Sequence, residues 1–489
     1  MPLMTGEEYV ESLRQLKPRV YALGERIESV VDSPLMRPHV NAAAMTYEAA
    51  HLPGLSELGS AISPLTGKRI SRFTYIHQNT ADLVTKVKLL RLLGQHTGTC
   101  FQRCVGFDGL NALHSVTYDI DQKHNTEYHQ RFLDFLRYIQ ETDFMIDGAM
   151  TDPKGDRSLS PSKQPDPDQY VHVVERRPDG IVIRGAKIHQ TGAVNSHQIL
   201  VMPTSALRPE DADYAVACAV PVDAEGVILI FGRQSNDGRR LEHGEIDQGN
   251  ARYGIVGGEA TVVFDDVFVP WERVFMCGEY EFAGSLVERF TCYHRQNYGG
   301  CKAGVSDVIV GASATLAEYN GVANAAHVRD KLVEMVHLSE SLYSGSIACS
   351  AEGTLLASNV CLPDPMLANT VKLNTTRFIY EIYRLAHDIA GGVIATLPSE
   401  QDLRHPEIGK WVEKYFGASA ACTAELRIRI ARLVENMTAG TALVESMHGA
   451  GSPQAERVVL YRQANLEGKK ALAKRLAGIQ DGSWHLRGQ

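Results

Sequence analysis

The sequence predicts an α+β protein in which helices and strands are segregated along the chain. Three observations carry this. Apolar residues recur at helical spacing up to about residue 146. They alternate with polar residues, among frequent Pro, Gly and Asp, from there to about residue 278. Helical spacing then returns and lasts to the end. The expected organisation is an N-terminal helical domain (1–146), a middle β domain built as a small barrel or sandwich (147–278), and a C-terminal helical bundle (279–489).

Thr5 and Glu8 stand at capping-box spacing ahead of Val10, Leu13 and Leu16, which starts a first helix. Leu83, Val87, Leu90 and Leu93 share one face of a helix over 82–94, and Phe132, Phe135 and Ile139 one over 129–141. Val171, Val173 and Val174, the turn Arg176-Arg177-Pro178-Asp179-Gly180, then Ile181 and Ile183 read as a hairpin. Further strands are expected over 198–202, 214–221, 226–231 and 261–269. Helices are expected over 304–319, 329–343, 367–390 and 423–437.

With 49 basic against 58 acidic residues, the net charge is -9. Such a chain has no electrostatic reason to seek nucleic acid or an anionic membrane. No apolar run reaches bilayer-spanning length, and the N-terminus lacks the basic and apolar blocks of a signal peptide. A cytoplasmic location is expected. Nine cysteines, an odd number spread over 489 residues, argue against a disulfide framework and for metal or redox chemistry where they cluster. Cys218, Cys349, Cys361 and Cys422 read as small buried hydrophobes.

The sharpest motif is Cys100-Phe-Gln-Arg-Cys104. On a helix its thiols would lie one turn apart on one face. In His294-Arg-Gln-Asn-Tyr298-Gly-Gly-Cys301, helical spacing puts His294, Tyr298 and Cys301 on one face. Three thiolates and an imidazole suit tetrahedral zinc or a four-iron cluster. Neither spacing is the C-x2-C of structural zinc, which favours the cluster. Spacing alone leaves open whether the two segments meet, and each pair also reads as buried cysteines. Two loops at the edges of the β region, around Met150-Thr151-Asp152-Pro153-Lys154 and Ile188-His189-Gln190-Thr191, can hold the edges of a planar ring or serve as ordinary polar turns.

These two loops, followed by the strand Val263–Val274 before the helical bundle, resemble the acyl-CoA dehydrogenase superfamily in order and type. The cysteine and histidine segments, with Glu445-Ser-Met-His-Gly-Ala-Gly-Ser-Pro453, narrow the resemblance to the 4-hydroxybutyryl-CoA dehydratases. These are relatives of the 4-hydroxyphenylacetate 3-monooxygenases, which lack the cysteine set. The resemblance implies FAD and one [4Fe-4S] cluster per subunit of a homotetramer. It also implies radical dehydration of an acyl-CoA substrate and a vinylacetyl-CoA Δ-isomerase activity. It assigns Cys100, Cys104, His294 and Cys301 to the cluster. His294, Tyr298, Glu445 and Glu259 become candidate acid–base groups. Met150, Thr151, Lys154, His189, Gln190, Thr191 and Lys302 become candidate cofactor contacts, joined by Gly391 and Gly392 across a subunit boundary. The alternative is a flavin monooxygenase or acyl-CoA oxidoreductase of the same fold without a cluster.

Overall fold

A computed structural model describes residues 3–242, 244–254, 258–420 and 422–479. The first helix, α1 (Gly6–Arg14), opens on the expected capping box, with Thr5 and Glu8 bonded reciprocally. Two short strands follow, β1 (Val20–Ala22) and β2 (Glu25–Ile27). Helices α2 (Thr80–Thr97), α3 (Cys104–His124) and α4 (Tyr128–Thr142) complete the first region. Of these, α3 has no counterpart in the periodicity. Nearly every side of its first half is buried, and Gly106 and Gly109 interrupt it, so no polar face marks it as helical.

The middle region holds β3 (Ile146–Ala149), β4 (His172–Arg177), β5 (Gly180–Thr191), β6 (Gln198–Val201), β7 (Val216–Pro221), β8 (Val227–Phe231), β9 (Glu259–Pro270) and β10 (Val274–Cys277). They form two open sheets, ordered β2-β1-β8-β9-β5-β4 and β10-β7-β6-β3. Among the described residues neither sheet closes on itself, so the expected barrel is not formed. The inward faces of both, including Ile183, Val262, Ile199 and Leu200, join one apolar core. The expected hairpin is present, with Arg177 paired to Gly180 across the turn. The first region is not purely helical, because β1 adds to the larger sheet by pairing in parallel with β8, Val20 opposite Leu229.

The last region is dominated by α5 (Ala283–Tyr319), 37 residues long. It begins well before the expected 304. Its glycines 299, 300 and 304 sit where neighbouring helices press against it. Around it pack α6 (Ala326–Ala351), α7 (Pro365–Ala390), α8 (Ala424–Met437) and α9 (Gly440–His448), followed by α10 (Pro453–Gln463). No described helix is long and apolar enough to cross a membrane.

Helices α2 and α5 approach closely. A Cβ on Gly94 would lie 2.7 Å from the Cys301 carbonyl oxygen, and one on Gly300 2.7 Å from that of Val87. A Cβ on Gly304 would overlap the Arg91 carbonyl. Gly304→Ala should therefore lower stability by about 1–3 kcal/mol, the usual cost of overpacking. Gly311→Ala, in the same helix with open space around it, should raise it by up to about 1 kcal/mol. Denaturant midpoints of the two variants test this; a Gly304→Ala midpoint at or above wild type refutes it.

Candidate active site

A cavity of about 1090 Å3 lies between the β region and the C-terminal helices. One wall is sulfur-rich. Cys100 and Cys104 come from the junction of α2 and α3, and Cys301 from α5; all three line the cavity as free cysteines. The junction is not the continuous helix that the C-x3-C spacing suggested. Gly98 ends α2 in the left-handed region (φ 63), Gln102 also has positive φ (68), and only Cys104 is helical, as the first residue of α3. A tight bend, rather than a helical turn, sets the relation of the two thiols. On α5 the helical spacing holds, and His294, Tyr298 and Cys301 all reach the cavity.

Burial is the main force raising the thiols. It pushes Cys100 and Cys104 well above the ordinary thiol range and Cys301 up to about 11. The thiols also oppose one another's ionisation, with Cys104 feeling both Cys301 and Cys100. Thiolates on this wall therefore need a cationic centre beside them.

The imidazole of His294 is fixed on three sides. Phe290 stacks on it at 5.5 Å between ring centres, and Tyr298 meets it edge-on at 5.9 Å. Its Nδ1 lies 2.8 Å from Oδ2 of the buried Asp108. Tyr298 is itself buried, and burial first, then Glu445, holds its hydroxyl well above the usual phenol range. Neither Asp108 nor its partner Lys86 was among the residues singled out from the sequence. A signal was present: Lys86 falls on the apolar face of α2, three residues after Leu83 and four before Leu90, where a lysine must be buried and paired.

The opposite wall is built by the two polar loops. Met150, Thr151 and Lys154 follow β3, and His189, Gln190 and Thr191 end β5; all six line the cavity. The loops are tied together: Ile188 N donates to Thr151 O at 2.9 Å and Gln190 Nε2 to the same oxygen at 3.2 Å. Buried Lys187 fastens the base, donating to Met150 O (2.9 Å), Met202 O (2.7 Å) and Asp152 Oδ1 (2.5 Å). Between Lys187 and Gln190 the pairing with β9 slips by a residue, and His189 takes a positive φ of 59. That bulge re-aims the strand end at the cavity.

Two carboxylates face this space from different environments. Glu445 on α9 accepts from Lys302 Nζ at 2.8 Å. Burial, the largest single influence, pulls the Lys302 ammonium down, but Glu445, Cys301, Tyr383 and Cys100 together outweigh it and the net shift is upward. Lys302 is thus engaged with a carboxylate. Glu259 on β9 accepts from Thr191 Oγ1 at 3.4 Å. Burial, then the neighbouring Glu445, push its carboxyl up to about 8. Gly391 and Gly392 are not on the cavity wall: they end α7 on the exposed surface, Gly391 with φ 71. Behind the cavity, Lys372 donates to Ser446 O and Met447 O, both at 3.1 Å, and lies 4.8 Å over the Tyr298 ring, fixing the last turn of α9 beside Glu445.

The raised Glu259 has a consequence for stability. The unfolded chain ionises this group near the ordinary carboxylate value of about 4.3, the folded chain only near 8. Its contribution is full below the lower value and is lost as pH rises through the upper one. Wild-type stability should therefore fall more steeply than that of Glu259→Gln between about pH 5 and pH 8, read from denaturant midpoints at pH 5, 6.5 and 8. Parallel pH profiles would rule the effect out.

Two family profiles cover almost the whole chain. The 4-hydroxyphenylacetate 3-hydroxylase N-terminal profile matches residues 5–276, and the C-terminal profile residues 283–478. A 4-hydroxybutyryl-CoA dehydratase/vinylacetyl-CoA-Δ-isomerase of Clostridium aminobutyricum is 55% identical, over 98% of this chain and 100% of that protein. The solved structure of an oxygen-tolerant archaeal 4-hydroxybutyryl-CoA dehydratase from N. maritimus superposes with a TM-score of 0.97 at 51% identity, covering 100% of this chain and 97% of that one. The oxygenase component of 4-hydroxyphenylacetate 3-monooxygenase complexed with FAD shares the fold, with a TM-score of 0.85 at 24% identity over 97% of this chain and 98% of that one.

Proposed function

The chain belongs to the 4-hydroxyphenylacetate 3-hydroxylase family, in its 4-hydroxybutyryl-CoA dehydratase branch, and we propose that it dehydrates 4-hydroxybutyryl-CoA to crotonyl-CoA with FAD and a [4Fe-4S] cluster. The observation that carries this is one cavity with three cysteines and a tethered histidine on one wall, two laced polar loops on the other, and two carboxylates between. The order of helical, sheet and helical regions is the one expected of an acyl-CoA dehydrogenase-like protein.

The residues fit both cofactors. Among the described residues no three His, Cys, Asp or Glu side chains converge to hold a single metal ion. A four-iron cluster instead accepts donors standing apart around a cage. Cys100, Cys104, Cys301 and His294 would hold it, and the Thr151 and Thr191 loops, with Met150, Lys154, His189 and Gln190, would hold the flavin. Gly391 and Gly392 remain candidates for the flavin of a neighbouring subunit in a homotetramer. When bound, the flavin supplies a one-electron acceptor that returns the electron, and the cluster a Lewis acid for the 4-hydroxyl.

The chain's own residues must then move protons. Going from 4-hydroxybutyryl-CoA to crotonyl-CoA removes one hydrogen from C2, one from C3 and hydroxide from C4, and adds a hydrogen at C4, for a net loss of water. Groups that both take and give protons are needed. Glu259, poised near neutrality, can do either. Glu445, held by Lys302, is the other candidate carboxylate, and His294 would serve as a base only with its Nε2 free of the cluster. Tyr298 can donate a hydrogen bond to the departing oxygen. Isomerisation of vinylacetyl-CoA moves a proton from C2 to C4, which the same groups can do.

Anaerobically purified protein should carry iron, acid-labile sulfide and FAD and convert 4-hydroxybutyryl-CoA to crotonyl-CoA. Cys100→Ala, Cys104→Ala and Cys301→Ala should each lose iron and dehydratase activity. Full iron and activity in any one of them removes that cysteine from the ligand set, and wild-type protein without iron and sulfide removes the cluster.

A further inference from the structure

We propose that Asp108, held by Lys86, is the positioning residue that sets the tautomer and direction of His294; this rests on His294 being a cluster ligand. Asp108 lies on α3, one helical turn after Cys104, and its side chain is 1% exposed. Its Oδ1 accepts from Lys86 Nζ at 2.6 Å, and its Oδ2 faces His294 Nδ1 at 2.8 Å. Asn297 Nδ2 donates to the same Oδ2 at 2.6 Å.

Lys86 is fully buried and its three donors are all used: on Asp108, on Tyr293 O at 3.2 Å and on Gln296 Oε1 at 3.4 Å. The ammonium therefore leaves Asp108 no freedom to rotate away. A carboxylate has acceptors only, so a ring nitrogen 2.8 Å from it must carry the proton. Asn297 Nδ2 keeps a second hydrogen, but its 3.5 Å approach to His294 Nδ1 is at the limit of a hydrogen bond and is outweighed by the 2.8 Å contact with the carboxylate. His294 is thereby fixed as the Nδ1–H tautomer, and Nε2 keeps its lone pair for a metal. Phe290 and Tyr298 fix the ring plane, and Asp108 fixes the rotation within it.

A buried carboxylate paired to a buried ammonium can also be merely structural, and removing one partner leaves the other charge uncompensated. The test therefore changes both partners and varies only the acceptor. Lys86→Met/Asp108→Asn keeps an oxygen that can accept from Nδ1–H, whereas Lys86→Met/Asp108→Leu has none, and neither carries a charge. The readouts on anaerobically purified holoenzyme are the rate of iron release to a chelator, the FAD content and the unfolding midpoint. The asparagine pair should release iron near the wild-type rate. The leucine pair should release it about 10–100-fold faster, the usual effect of losing a partner behind a metal-bound histidine, with FAD unchanged. Equal release rates in the two pairs, or an iron loss that tracks the unfolding midpoint, overturn the proposal. Wild-type protein without iron overturns the cluster reading, and this one with it, whereas tight iron in all variants overturns this one alone.

Discussion

The arrangement depends on how closely α2 and α5 approach. With side chains at Gly94, Gly300 and Gly304 the helices would stand apart by at least a methyl group. Cys301 sits within that contact, and its backbone oxygen is the atom nearest the missing Cβ of Gly94. Just beyond the C-terminal end of α2, Gly98 turns the chain back toward Cys100 and Cys104. One close crossing thus brings together thiols about two hundred positions apart in sequence. Glycine inside a helix costs about 1 kcal/mol relative to alanine, so three of them at a single crossing represent stability given up for proximity.

The same crossing buries charge. Lys86 on α2, Asp108 on α3 and Gln296 and Asn297 on α5 form a polar network inside an otherwise apolar contact, with Asn297 Oδ1 its one unmatched acceptor among these side chains. Such a network is costly unless each donor and acceptor is matched. Here Lys86 and Asp108 are fully engaged, and the network ends on a ring that faces the cavity. Packing and site geometry are therefore one problem at this point, because the helices cannot separate without unpairing the network.

Much of this was legible in the sequence, for identifiable reasons. Amphipathic helices such as α4 and hairpins such as β4–β5 announce themselves because each has a solvent face. Helix α3 did not, because burial on nearly all sides removes periodicity. The extent of α5 was underestimated for a related reason, since Gly299, Gly300 and Gly304 look like breaks when the neighbouring helices are unknown. The candidate site residues were legible as types and spacings, and all except Gly391 and Gly392 face one cavity. The residues behind them, Asp108, Lys86, Lys187 and Lys372, were less so. Their meaning lies in pairings across 15 to 210 positions, as for Lys187 with Met202 and Lys86 with Gln296.

The cavity also sets two carboxylates in different surroundings. Glu445 sits against the Lys302 ammonium and Glu259 against a hydroxyl in a desolvated strand end. Glu445 disfavours ionisation of Glu259 across the cavity, and of the two only Glu445 has a cation as an immediate partner among the described residues. The second is therefore left holding a proton near neutral pH. On the proposed reading Glu259 is the carboxyl of the pair that can give a proton first. The position of a single ammonium on α5, one residue after Cys301, is thus what distinguishes two carboxylates that share one cavity.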